Sequence, residues 1–204
     1  MRYGWAMRRL AGAALLALAG AAPVLAFDDP DWPCQQRKVD RLSIGQMWTG
    51  PVPEDLSAWR DDPEIADAAA LIAARRTSMD DAAALVAATP RDALPTLFSG
   101  VFALIDAERT RLVDGIVRFA LKQRALSEKI DADQAALAAA EAAAKPDDFD
   151  ALDRIDAQRD AVTWDIRIYD ERRRSVMYVC ESPVILEKRL FAVARMIEAA
   201  MAAQ

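Results

Sequence analysis

Residues 126–155 read LSEKIDADQAALAAAEAAAKPDDFDALDRI, and the fold turns on how that stretch is punctuated. On its N-terminal side, Leu126, Ile130, Asp133, Leu137, Ala140 and Ala144 continue a stripe that begins with Leu112, Ile116, Phe119 and Gln123. The steps alternate between three and four, the spacing of a coiled-coil seam rather than the broader stripe of a globular helix. Lys145-Pro146-Asp147-Asp148 interrupts it, because proline cannot continue a helix and the acids that follow suit a new N-terminus. The rhythm resumes at Leu152, Ile155, Arg159, Val162, Ile166, Tyr169, Arg173, Val176 and Cys180. Two long helices folded about Pro146 are the expected architecture.

That turn also sets a register. Seam residues oppose each other when their numbers sum to about 292, twice the number of the turn residue. Ile130 then meets Val162, Leu126 meets Ile166, Leu137 meets Ile155 and Ile116 meets Val176. The misfits pair too: Asp133 with Arg159, Gln123 with Tyr169, and Phe119 with Arg173. The Asp133–Arg159 pair reads as a register lock, since partly buried ion pairs contribute little net stability. A helix from Asp92 to Ala144 runs on the order of 80 Å at ~1.5 Å per residue, too long to bury itself in a globule. It needs its own second arm or, as the chief rival, a homodimer through the same seam.

Upstream, residues 1–26 carry Arg2, Arg8 and Arg9, an apolar run from Leu10 to Leu25, and small residues ending at Ala26. This is the pattern of a cleavable secretory signal peptide. The expected product is an exported, periplasmic chain starting at Phe27, of bacterial origin by its alanine and arginine richness, with no integral membrane segment. Removing three arginines from a net charge of −6 leaves −9. An acidic surface argues against nucleic acid and anionic membranes as partners.

The exported setting gives Cys34 and Cys180 a default reading as one structural disulfide, since neither lies in a CxxC motif or beside a histidine. It would tie an irregular arm, residues 27–62, to the second long helix. That arm combines prolines with Trp32, Trp48 and Trp59, which read as staples onto the hairpin. The competing reading is an aromatic groove for a sugar or peptide, with Arg37 and Lys38 beside it.

Two short helices follow, one opened by Asp62-Pro63-Glu64 and one by Ser78-Met79-Asp80-Asp81, a capping box with Asp in place of Glu. They should stack at the hairpin's base. There Phe98, Val101, Phe102, Leu104 and Ile105 would face Leu186, Leu190, Phe191, Val193 and Ile197, with Ser182-Pro183 kinking or breaking the second arm. Alanine-rich residues 135–145 bury little surface and should form a thin tip. The whole is an all-α fold: an elongated antiparallel helical hairpin with a small bundle at its base. Residues 27–204 form one mature domain, 63–204 being the bundle and hairpin and 27–62 the arm tied on by the disulfide.

Chemistry is conspicuous by what is missing. The chain has no histidine, which removes the commonest general base, the usual triads and most zinc sites. Phosphate-binding glycine loops are also missing. No metal and no cofactor is expected. Arg172, Arg173 and Arg174 form a basic cluster, with Arg172 and Arg174 facing outward as a candidate surface for an acidic partner. The leading expectation is a non-catalytic interaction protein (scaffold, adaptor or assembly chaperone) that presents the hairpin to a protein partner. The alternative is a small-ligand or carbohydrate-binding or carbohydrate-active protein using the tryptophan region and nearby carboxylates.

Overall fold

The structure, a computed structural model, describes Asp29 and residues 31–203; the expected signal peptide and its cleavage junction lie outside the described residues. Five α-helices follow one another: α1 (Ile44–Met47), α2 (Pro63–Ala73), α3 (Met79–Ala88), α4 (Leu94–Ala143) and α5 (Phe149–Ala202). No strand occurs among the described residues. The 50 residues of α4 and 54 of α5 make the antiparallel hairpin, and residues 144–148 connect them.

Local chemistry places each start. Asp62 accepts from the Glu64 and Ile65 amides at 3.0 and 3.2 Å, with Pro63 in the first turn of α2. Ser78 accepts from the Asp81 amide at 3.0 Å, the N-cap half of the expected capping box, while its own hydroxyl, and not its backbone amide, donates to the Asp81 carboxylate at 2.7 Å. Asp148 caps α5 through the Ala151 amide at 3.0 Å. These side chains satisfy amides that have no partner within the helix.

The core lies at the base. Leu97, Phe98, Val101 and Ile105 of α4 pack with Leu186, Leu190, Val193 and Ile197 of α5, and α2 and α3 close the bundle through Ile65, Ala69, Ile72, Ala82 and Val86. Gly100 allows α2 to approach α4 closely. A Cβ there would sit 2.9 Å from that of Ala69 and 3.1 Å from the Trp59 ring. Phe191, expected in this core, instead lies 51 % exposed with the Arg195 guanidinium 5.1 Å from its ring centroid. Leu190 on one side and Val193 and Ala194 on the other already fill the inward arc of that turn. Helix α5 also runs through Pro183 without ending there, so of the expected kink or break the break is absent. Pro183 is buried within the helix.

Beyond the base the hairpin is only two helices thick. Ile130, Ile155 and Val162 are buried in its seam, and Leu126, Leu137 and Ile166 are half-buried beside them. Gln123 donates to the Tyr169 carbonyl at 3.2 Å, across the arms at the register expected. The two seam arginines swing out. Arg173 is 70 % exposed, and Arg159 turns to Glu141 at 2.7 Å and to Asp156. Their long stems let the guanidinium reach water, which costs less than burial. Asp133 takes Lys129 at 2.7 Å in place of Arg159.

Candidate interaction surfaces

Residues 31–60 form an arm strapped across α4 and α5 by covalent and polar bonds. Cys34 and Cys180 are joined, with Cα atoms 5.6 Å apart. Gln36 donates to the Cys180 carbonyl beside the bridge. Further along, Asp106 and Arg109, one turn apart on α4, are both buried. Asp106 accepts from the Leu42 amide at 2.9 Å and from Arg41 at 3.4 Å. Arg109 donates to the Val39 carbonyl at 2.7 Å and to Glu187 of α5 at 2.6 Å. One side-chain latch therefore binds the arm to both long helices. Charged residues on an apolar helix were legible in the sequence, but their partners lie about 70 residues away.

The tryptophans do not converge on an open groove. Trp48 stacks on Phe98 with centroids 4.1 Å apart and planes 11° apart, and its Nε1 donates to the Pro51 carbonyl at 3.0 Å. Trp59 is buried against Gly100, with the Arg60 guanidinium 4.4 Å from its ring centroid. Trp32 is half-buried and donates to the Gln36 carbonyl at 2.6 Å. Arg37 is exposed. Lys38 bonds Asp29 at 2.9 Å, and that bond holds the Asp29 carboxyl below its usual range and lifts the lysine above its own.

One shallow cleft of about 330 Å³ opens where Pro33 leans over the hairpin; Phe119, Gln123, Tyr169, Arg173 and Val176 line it. Gln123 Oε1 has no hydrogen-bond partner among the described residues. Another orphan is Arg189 Nη2 at the base, whose Nε caps α2 through the Ile72 carbonyl at 2.8 Å. Burial pushes the Arg189 pKa down.

The largest uncovered apolar side chains lie on α5. Phe149 is 74 %, Trp164 58 %, Met177 68 % and Tyr178 78 % exposed, and Arg172 and Arg174 are exposed among them. Among the described residues no group of three or more Cys, Asp or Glu is placed to hold a metal ion. No helix among them is long and apolar enough to cross a membrane. No family model, no curated protein and no solved structure matches this chain.

Proposed function

We propose that this protein is an exported, non-catalytic interaction protein of the periplasm that presents its helical hairpin to a protein partner. The observation that carries the reading is the uncovered apolar surface of α5. Large side chains such as Trp164 and Tyr178 are exposed on α5, left uncovered by both the arm and the bundle at the base. Isolated exposed apolar residues are ordinary, but aromatics recurring along one rod suit a binding surface. Export is supported by the N-terminal charge and hydropathy pattern together with the Cys34–Cys180 bond, which needs an oxidising compartment to form and persist.

The sugar-binding alternative calls for tryptophans beside carboxylates on a concave surface. Trp48 and Trp59 instead fill the core, which favours the interaction reading.

A photo-crosslinking residue placed at Tyr178, with a control at the buried Leu186, tests the proposal in intact cells. The expected result is a discrete protein adduct at 178 and none at 186. Adducts at neither site, together with saccharide-dependent thermal stabilisation of the purified protein, would transfer the reading to the alternative. Export is checked by sequencing the N-terminus of the released protein, where Phe27 is the expected first residue.

A further inference from the structure

The face of α5 turned away from α4 has a pattern that the inward seam does not explain. At ~100° per residue, Phe149, Asp153, Asp156, Asp160, Trp164, Arg167, Glu171, Arg174 and Tyr178 fall within an arc of about 80°. All nine are exposed. The arrangement is symmetric in position and opposite in charge about Trp164. Phe149 lies fifteen residues before it and Tyr178 fourteen after; the tip-side half carries only acids, and the base-side half carries Arg167 and Arg174 with one acid, Glu171. None of Asp153, Asp160, Arg167 and Arg174 has an ion-pair partner among the described residues, and Arg167 sits 5.9 Å from the centroid of the Trp164 ring.

We propose that a second copy of this chain docks antiparallel along this face, with the Trp164 side chains of both chains at the two-fold axis. Complementarity selects the occupant. In the antiparallel register, residues whose numbers sum to about 327 oppose each other, counted on the sequence. Phe149 then meets Tyr178, Asp153 meets Arg174 and Asp160 meets Arg167, each pair occurring twice as an isologous interface requires. A parallel arrangement would set each acid against its own copy and each arginine against its own, which opposes that alignment. One misfit remains, because Asp156 opposes Glu171. Asp156 already holds Arg159 within its own chain, which offsets the repulsion.

This interface is separate from the α4–α5 seam, whose apolar residues are consumed within one chain. The strip from Phe149 to Tyr178 is about 45 Å long and about 10 Å wide. About 450 Å² per chain is below the ~800 Å² of a standard interface, so the dimer is weak and concentration-dependent. The inference rests on the proposed function only in using the same face of α5. It is tested on purified protein alone, so its failure leaves capture of another partner to be read separately.

The experiment is sedimentation velocity from about 1 to about 200 µM, spanning the affinities of weak interfaces. Wild type should move from monomer to dimer across that range. One variant carries Arg167→Asp and Arg174→Asp, making the face wholly acidic at the paired positions. Another carries Asp153→Arg and Asp160→Arg, making it basic. Each alone should stay monomeric with unchanged helical circular dichroism, and mixing them should restore a 1:1 dimer, since all four ion pairs re-form. Restoration on mixing excludes misfolding as the cause of the loss. A wild type that is monomeric throughout overturns the proposal. So does a dimer that survives in either variant, or a mixture that stays monomeric.

Discussion

The base and the distal half of the hairpin are built from the same two helices, yet they are held by different means. At the base, α4 and α5 meet α2, α3 and the arm, so that Phe98, Val101, Leu190 and Val193 are wholly enclosed. Past Ile130 each helix has one neighbour, and a single row of residues per helix is screened from water. Burial stabilises in proportion to area, so the distal half must depend on helix propensity, short ion pairs and tethering to the base. Lys129 shows this dependence, bridging Asp133 and Asp165 at 2.7 Å each, and both carboxylates raise its pKa. The base is a core that happens to contain long helices; the distal half is a rod that the core stabilises.

Breaking the covalent strap should have the largest effect on the base. The bridge spans 146 residues of sequence, for which chain entropy gives about 5 kcal/mol as an upper figure. Replacing Cys34 and Cys180 with serine should lower the denaturation midpoint accordingly while leaving most far-UV helical signal in place. Loss of the helical signal at room temperature would mean that the arm is needed for the bundle to form at all.

Phe98→Ala removes both a core ring and the surface on which Trp48 stacks. About 3–5 kcal/mol of stability should go, and Trp48 fluorescence should shift to the red as water reaches it. A loss below that of the distal substitution described next would invert the comparison between the two regions.

At the arm latch, Arg109→Met keeps volume but leaves Glu187 and the Val39 carbonyl without their donor. About 2–3 kcal/mol should be lost in chemical denaturation. Ile155→Ala, in the distal seam, should cost less, at most about 2 kcal/mol, because little surrounds the side chain and the site can collapse. Hydrogen exchange sharpens the contrast. Amides of residues 135–160 should exchange faster in the variant, while those around Phe98 and Leu190 keep their protection.

The smallest effect concerns Asp29. Its hydrogen bond from Lys38 depresses its pKa, so the contribution is complete above the ordinary carboxylate range and is lost as pH falls through the lowered folded value. Lys38→Met should let the Asp29 titration rise towards 3.8, the value of an unperturbed aspartate, as followed by carboxyl carbon NMR.

Helix boundaries and the turn at Pro146 were legible because they depend on neighbours in sequence: the period of apolar residues, a proline, and capping side chains such as Asp62, Ser78 and Asp148. The disulfide was legible because two cysteines admit one intrachain pairing. The register was legible in part. Gln123 and Tyr169 meet across the arms, whereas Asp133 and Arg159 find nearer partners of opposite charge. A one-dimensional pattern fixes which residues face a seam, but long side chains choose among several partners by solvent access.

Only the tertiary structure decided what the tryptophans and buried charges do. Sequence alone could place Trp48 and Trp59 in a groove or in a core, because both use the same aromatic surface, and packing against Phe98 and Gly100 settles which. Asp106 and Arg109 look like ordinary helix charges until residues 39–42 cross above them. Their partners are distant in sequence, and no local periodicity encodes a contact made by an irregular strand of chain. What the sequence by itself determined was the length, polarity and reversal of the helices, since those follow from intrahelical bonds and the spacing of apolar side chains. Which faces are filled and which remain open on α5 required the whole molecule, because burial belongs to the assembled surfaces and not to any segment.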